Sequence, residues 1–182
     1  MKGIIALVLL PVALLSAQDS VNILELYQTN FSGANQQTKL EILKAADAEE
    51  DAGLGPLYGQ ALSYVVSNAN RLYQEPDLRQ IGLIAIRNIA EEQYQPAVTN
   101  LWRLFEVYTE TTARIEILRV LGPLAEGNQQ IADYLTNWVS GQNGRRQAGD
   151  DVDLQTLTAA VAALGQVGVG SAVDVLLESV LI

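Results

Sequence analysis

The feature that most constrains the fold is a helical spacing of apolar residues that recurs along the chain. In three segments the apolar positions follow the pattern i, i+3, i+4, i+7, which places them on one face of an α-helix. Strand-like alternation of apolar and polar residues is nearly absent after residue 18, so the sequence predicts an all-α fold. The three sets are Val98, Leu101, Trp102 and Phe105; Ile131, Tyr134, Leu135 and Trp138; and Val173, Leu176, Leu177 and Val180.

A second, preceding helix is predicted in front of each of these segments. Residues 85–90, 117–122 and 160–165 share two aliphatic or small residues, two variable ones, an aliphatic residue and a final Ala or Gly. A fainter copy comes earlier, with its first helix at 36–48 and a second-helix stripe of Tyr58, Ala61, Leu62 and Val65. The copies are unevenly spaced, and we attribute this to the Gly-rich polar segment 140–151, which we predict to be a loop.

The stretch LGQVGVGSAVDVLLESV (164–180) carries a family resemblance, through Leu-Gly at the end of a first helix and Ala-Val-x-x-Leu-Leu in a second. It resembles the HEAT-repeat (armadillo-like) family of α-solenoids. The resemblance implies a right-handed α-solenoid of about four HEAT-like helix pairs over residues 36–182. Residues 18–35 would add an extra N-terminal capping helix. In such solenoids the concave face comes mainly from the second helices and binds proteins or peptides.

Composition limits the chemistry that this chain could perform. Its 182 residues include no cysteine and no histidine, which removes thiolate nucleophiles, imidazole bases, disulfides and the usual zinc ligands. We therefore predict no cofactor and no metal. A formal net charge of −10 disfavours nucleic acid and favours a basic protein or peptide partner.

The N-terminus has the pattern of an export signal. Lys2 precedes an apolar run over residues 3–15, and small residues follow at Ser16 and Ala17. The run is shorter than the roughly 20 residues that a spanning helix needs. We predict a cleaved signal peptide over residues 1–17 and a periplasmic or secreted protein. The alternative is that the segment is retained and anchors the protein to a membrane, which would be its only membrane contact.

Three groups of residues are candidates for protein binding. Polar positions of the predicted second helices would face the concave side: Asn100, Arg103, Asp133 and Asn137. Arg145 and Arg146, in the predicted loop, form a local positive patch that suits a carboxylate-bearing partner. Val180, Leu181 and Ile182 form an uncapped apolar edge that suits another chain or a second copy of this one.

Two other groups have simpler structural explanations. Asp150, Asp151 and Asp153 resemble the start of a calcium loop, but the required Gly and bidentate Glu are missing, so we expect Asp153 to cap a helix instead. The aromatic side chains Trp102, Phe105, Tyr134 and Trp138 lie on the predicted apolar stripes. We interpret them as core residues rather than as a ligand cage.

These observations favour a non-enzymatic, exported scaffold or adaptor of the cell envelope. One alternative is a structural protein that self-assembles through its C-terminal edge. A further alternative, which the resemblance raises because some HEAT-like proteins are lyases that attach bilin chromophores, is an enzyme of that type.

Overall fold

A computed structural model describes residues 22–49 and 53–170. Within these ranges the chain forms α-helices, two short 3₁₀ helices (Ala69–Arg71 and Gln95–Ala97) and no strand, so the all-α prediction is confirmed. The helices are α1 (Ile23–Gly33), α2 (Gln36–Asp47), α3 (Gly55–Ser67), α4 (Pro76–Glu91), α5 (Val98–Val107), α6 (Thr111–Leu124), α7 (Gln129–Gln147) and α8 (Leu154–Val167).

The helices contact one another in two rows. In one row α2 contacts α4, α4 contacts α6 and α6 contacts α8. In the other row α1 contacts α3, α3 contacts α5 and α5 contacts α7. Contacts of α1 with α2, α3 with α4, α5 with α6 and α7 with α8 join the two rows, so the apolar faces of both rows share one core.

The apolar stripes explain this core, with one correction. The predicted stripes of α3 and α5 are buried over their whole length. In α7, Ile131 and Leu135 are buried as predicted, but Tyr134 and Trp138 are only half-buried, and burial continues through Val139 and Asn143 instead. The reason is that α7 contacts two helices, since its aromatic side meets α5 while the rest of its inner surface packs on α8.

The helix boundaries follow the predictions at three places and differ at one. The first predicted helix, 36–48, is α2, Pro56 lies in the first turn of α3, and Asp153 caps α8. The predicted loop over residues 140–151 is wrong for residues 140–147, because α7 continues to Gln147, and only residues 148–151 lie outside a helix. Tertiary packing outweighs the low helix propensity of the glycines here, since Val139 and Asn143 on the same helix are buried.

Polar side chains tie α2 to α4 and α6 to α8. At the end of α2 the Asp47 carboxylate accepts hydrogen bonds from Arg87 Nη2 (2.5 Å) and Asn88 Nδ2 (2.7 Å) of α4. The hydrogen bond from Arg87 holds the pKa of Asp47 below its usual range. At the start of α8, Asp153 Oδ2 accepts a hydrogen bond of 2.6 Å from Thr111 Oγ1 of α6. These contacts fix the spacing of the row.

Lys39 joins α1 to α2 through an unusual cap. Its ammonium group is buried and donates hydrogen bonds to the carbonyl oxygens of Phe31, Ser32 (3.3 Å) and Ala34 (2.8 Å), at the end of α1. It also lies over the rings of Phe31 (4.7 Å) and Tyr64 (5.1 Å). Burial lowers the pKa of Lys39. The last carbonyl groups of a helix have no hydrogen-bond donor within the helix, and at the end of α1 the Lys39 ammonium group is that donor.

The described part of the chain has no helix that is both long enough and apolar enough to span a membrane. The predicted signal peptide, residues 1–17, and the predicted C-terminal edge, Val180, Leu181 and Ile182, lie outside the described residues.

We expect Asp153→Ala to lower the free energy of unfolding by about 1 kcal/mol at pH 7, because it removes both the helix cap and the tie to Thr111. Burial raises the pKa of Asp153, but hydrogen bonds from Thr111, Thr156 and Gln155 outweigh it and hold the pKa below the ordinary 3.8. A lowered pKa stabilises the fold above 3.8, and this contribution disappears as the pH falls through the folded-state pKa.

The stability difference between the parent and Asp153→Ala, measured by urea unfolding, should therefore shrink as the pH falls below about 4. Asp151→Ala is the matched control, because the Asp151 side chain is exposed and caps no helix. An equal loss in both variants would contradict the assignment of Asp153 as a cap.

Candidate functional site

The polar residues predicted to form a concave face lie on two neighbouring helices. Asn100 and Arg103 belong to α5, and Asp133 and Asn137 belong to α7. Trp102 and Tyr134 stack between these helices with their ring centroids 5.5 Å apart. The structure therefore brings the four positions onto adjacent elements, over an aromatic contact in which Trp102 is buried as predicted and Tyr134 is only half-buried.

The four side chains differ in how free they are to bind a partner. Asn100 is half-buried, and its Nδ2 donates a hydrogen bond of 2.7 Å to Ser63 Oγ of α3. Asp133 accepts a hydrogen bond of 2.7 Å from Gln129 Nε2. Arg103 and Asn137 are exposed, and Arg103 forms no hydrogen bond or ion pair with any described residue. Asn100 therefore contributes to helix packing more than to an open surface.

Arg145 and Arg146 lie in the last turn of α7 and not in a loop. Arg145 Nε lies 3.5 Å from Asp150 Oδ2, and its Nη2 donates to the Asp151 carbonyl oxygen at 3.4 Å. Two cations at the carboxyl end of a helix face the negative end of the helix dipole. The positive patch is thus partly neutralised by its own neighbourhood, which weakens its case as a docking site.

The acidic segment at the start of α8 shows no arrangement for calcium. The Asp153 carboxylate accepts hydrogen bonds from the hydroxyl groups of Thr111 and Thr156 and from the backbone N–H of Gln155. Across residues 22–49 and 53–170, no group of three or more acidic side chains is placed to hold a metal ion.

The described residues also form a groove between α6 and α8, which the sequence reasoning missed. We call it the α6–α8 groove. Its volume is about 630 Å³. It runs along one face of α8, where its lining residues recur every three or four positions, and it is completed by one face of α6. The lining consists of Ile115, Leu118 and Arg119 from α6 and Leu154, Gln155, Thr158, Ala159, Ala162, Ala163 and Gln166 from α8.

The α6–α8 groove has an apolar floor and carries one charge among its described lining residues. Leu118 and Ala163 are buried at its floor, whereas Leu154 is 52% exposed and Ala162 is also exposed. The charge belongs to Arg119, which forms no hydrogen bond or ion pair with any described residue. Within the described part of the chain, the groove therefore combines an exposed apolar surface with a guanidinium group that has no partner.

Close packing of α6 on α8 sets the shape of this groove. Gly122 of α6 is buried, and a Cβ added there would lie 2.9 Å from the Cα of Ala163. Because that distance is too short for two carbon atoms, a residue with a side chain at position 122 would keep the backbones of α6 and α8 from packing this closely. Small residues on both helices thus produce a shallow, wide depression instead of a filled ridge.

One signal in the sequence points to the groove in retrospect. The stretch LQTLTAAVAALGQV, residues 154–167, has no charged residue on any face. A helix with no charged face is commonly covered by other elements over most of its surface, yet Leu154 and Ala162 are exposed. The repeated pattern at residues 160–165 predicts the helix but does not indicate which of its faces stays open.

A second depression of about 510 Å³ lies between α1 and α2, lined by Thr29, Asn30, Gly33, Ala34, Thr38 and Ile42. It contains no charged residue and only one large aliphatic side chain, so it offers less binding energy than the α6–α8 groove.

Comparisons with known protein families, with curated proteins and with solved structures found no match to this chain.

Proposed function

We propose that this protein is a non-enzymatic scaffold that binds another protein, and that it acts in the periplasm or after secretion. The observation that carries the proposal is the α6–α8 groove, an apolar surface that is exposed in the described part of the chain and includes one guanidinium group without a described partner. Contiguous exposed apolar surface on a soluble domain is typical of interaction sites. The export step rests on the N-terminal sequence pattern alone.

The chemistry of the groove favours binding over catalysis. Its described lining residues offer one guanidinium group, two amides and one hydroxyl, and none of them carries a carboxylate, thiol or imidazole. A general acid or base needs a titratable group whose pKa lies near the working pH, and arginine does not provide one. The lyase-type alternative remains a rival proposal, which predicts a chromophore bound to the purified protein.

We further propose that the two rows of helices belong to a right-handed HEAT-like α-solenoid. The supporting observation is that each described helix contacts the next member of its own row, which is the nearest-neighbour packing of solenoid repeats. The contacts between the rows join α1 with α2, α3 with α4, α5 with α6 and α7 with α8, and in this proposal these are the four helix pairs. The pairs predicted from the sequence, α2 with α3, α4 with α5 and α6 with α7, begin one helix later.

Affinity capture from a cell-envelope extract tests the function. The full chain is the bait, with the Ala162→Glu variant beside it to place a charge in the groove. Ala45→Glu is the matched control, because Ala45 is an exposed alanine on α2, outside the groove. We expect a protein that is held by the parent and by Ala45→Glu and lost by Ala162→Glu, as identified by mass spectrometry.

Other outcomes would count against the proposal in distinguishable ways. A partner held equally by all three baits would move the binding site away from the groove, towards α5 and α7. Bait that recovers only itself would favour the self-assembling alternative, which Val180→Asp should then reverse. Bait that recovers no protein would contradict the scaffold function. So would a purified protein that is coloured, because a bound chromophore is what the lyase-type alternative predicts.

A further inference from the structure

We infer that the α6–α8 groove binds an amphipathic α-helix of a partner protein, which turns small aliphatic residues inward and places one carboxylate against Arg119. This inference names the partner chemistry of the groove and therefore rests on the proposed scaffold function. It draws on the length, depth and charge of the groove.

The length of the groove fits a short helix. Its lining on α8 extends from Leu154 to Gln166, in four successive turns that each contribute one or two side chains. At a rise of 1.5 Å per residue this face is about 18 Å long. A helix of about 12 residues that lies along α8 would cover it.

The depth of the groove favours a helix over a small molecule. Ala159, Ala162 and Ala163 lie in the middle of its lining, and side chains of this size let a neighbouring helix approach closely. Most of the lining side chains from α8 are exposed, so the groove is open along its side. A small ligand would keep much of its surface in water there, whereas binding pockets normally cover most of a ligand.

The charge of the groove specifies the carboxylate. A bound helix would remove water from Arg119, and a guanidinium group that loses water without gaining a partner is costly. None of the described residues that line the groove is acidic, so we expect the partner to supply the counter-charge. A carboxylate matches the planar guanidinium in a paired hydrogen-bonded geometry. Elsewhere the partner helix should be basic, since the chain as a whole carries a net charge of −10.

The probe is a set of four labelled 14-residue peptides, acetylated and amidated at their ends. Each has Ala and Leu at i, i+3, i+4 and i+7, Lys and Gln elsewhere, and one Glu beside the apolar stripe, placed in a different turn in each peptide. Matched peptides carry Gln in place of that Glu. Binding to the full chain is measured by fluorescence anisotropy, and induced helicity by circular dichroism. The protein variants are Ala162→Glu, Arg119→Gln and, as an exposed cation on α2 outside the groove and outside every candidate binding set, Lys44→Gln.

We expect at least one Glu peptide to bind with a Kd of roughly 10–100 µM, because one helix buries less area than a standard protein interface. Ala162→Glu should weaken this binding more than tenfold. The Gln peptide should bind the parent about fivefold more weakly than the Glu peptide, and this difference should vanish on Arg119→Gln. Lys44→Gln should behave like the parent.

Four results would overturn the inference. These are no binding by any peptide at 1 mM, equal binding to parent and Ala162→Glu, an undiminished Glu-to-Gln difference on Arg119→Gln, or displacement of the peptide by laurate at concentrations below its micelle formation. The last result would identify a fatty acid as the ligand. A captured partner without peptide binding would retain the scaffold function and reject the helix. Peptide binding without any captured partner would do the reverse.

Discussion

Phe105→Ala is expected to lower the free energy of unfolding by about 4 kcal/mol, the largest loss we expect from a single substitution in this chain. The Phe105 ring is fully buried at the point where α5 meets α6 and α7. It packs edge-on against Trp138 and at a tilt against Trp102, with both centroid distances 5.1 Å, and the Arg114 guanidinium lies 5.2 Å from its centre. Its removal leaves a cavity between three helices, and the surrounding rings can fill this only in part.

The measurement is chemical unfolding followed by tryptophan fluorescence. Both tryptophans of the chain contact Phe105, so the native emission should change together with the midpoint. Leu83→Ala is the control, because Leu83 on α4 is 46% exposed, and we expect a change within about 0.5 kcal/mol there. A loss below about 1.5 kcal/mol for Phe105→Ala would mean that this aromatic cluster does not form the junction of α5, α6 and α7.

The aromatic cluster also shows how far apolar periodicity predicts this fold. The spacing of Val98, Leu101, Trp102 and Phe105 identified the buried face of α5, because a helix with a single apolar stripe has one way to cover it. The same spacing selected Tyr134 and Trp138 in α7, where the prediction was half right. Periodicity gives the direction of a stripe, but burial depends on which neighbouring helices cover each side of it.

The boundary of α7 could not be predicted because local propensity and tertiary packing disagree there. Gly141 and Gly144 favour a loop, and the segment is polar. Asn143 between them is buried, which local sequence does not indicate. Arg145 and Arg146 were therefore predicted to lie in a loop, whereas they lie in the last turn of α7.

The α6–α8 groove was missed for a related reason. Leu154 and Ala162 belong to a helix without a charged residue, and the sequence of such a helix does not show which of its faces is exposed. Helices that are distant in sequence decide this. Arg119 gave no signal either, because an isolated arginine on a helix is ordinary surface composition. The absence of its partner becomes visible only when the helices on both sides of the groove are in place.

Gly122→Ala is expected to destabilise the protein by about 2 kcal/mol, although alanine is the better helix former by about 1 kcal/mol. The new Cβ would lie 2.9 Å from the Cα of Ala163 and 3.3 Å from its Cβ, and it would also meet Gln166 Oε1. The Gln166 side chain can turn away, but the backbone of α8 cannot move without separating α6 from α8. The strain of that separation outweighs the gain in helix propensity.

Gly141→Ala provides the opposite case within the same fold. Gly141 lies in α7, is exposed and has no atom within 4 Å of an added Cβ, so only the propensity gain remains. We expect it to raise the free energy of unfolding by about 0.5–1 kcal/mol. Urea unfolding of both variants should therefore place their free energies of unfolding about 3 kcal/mol apart. If Gly122→Ala stabilised the protein as Gly141→Ala does, α6 and α8 would have to lie further apart than described. The groove between them would then be wider and its floor deeper, and a helix could not reach Arg119 while resting on Ala162 and Ala163.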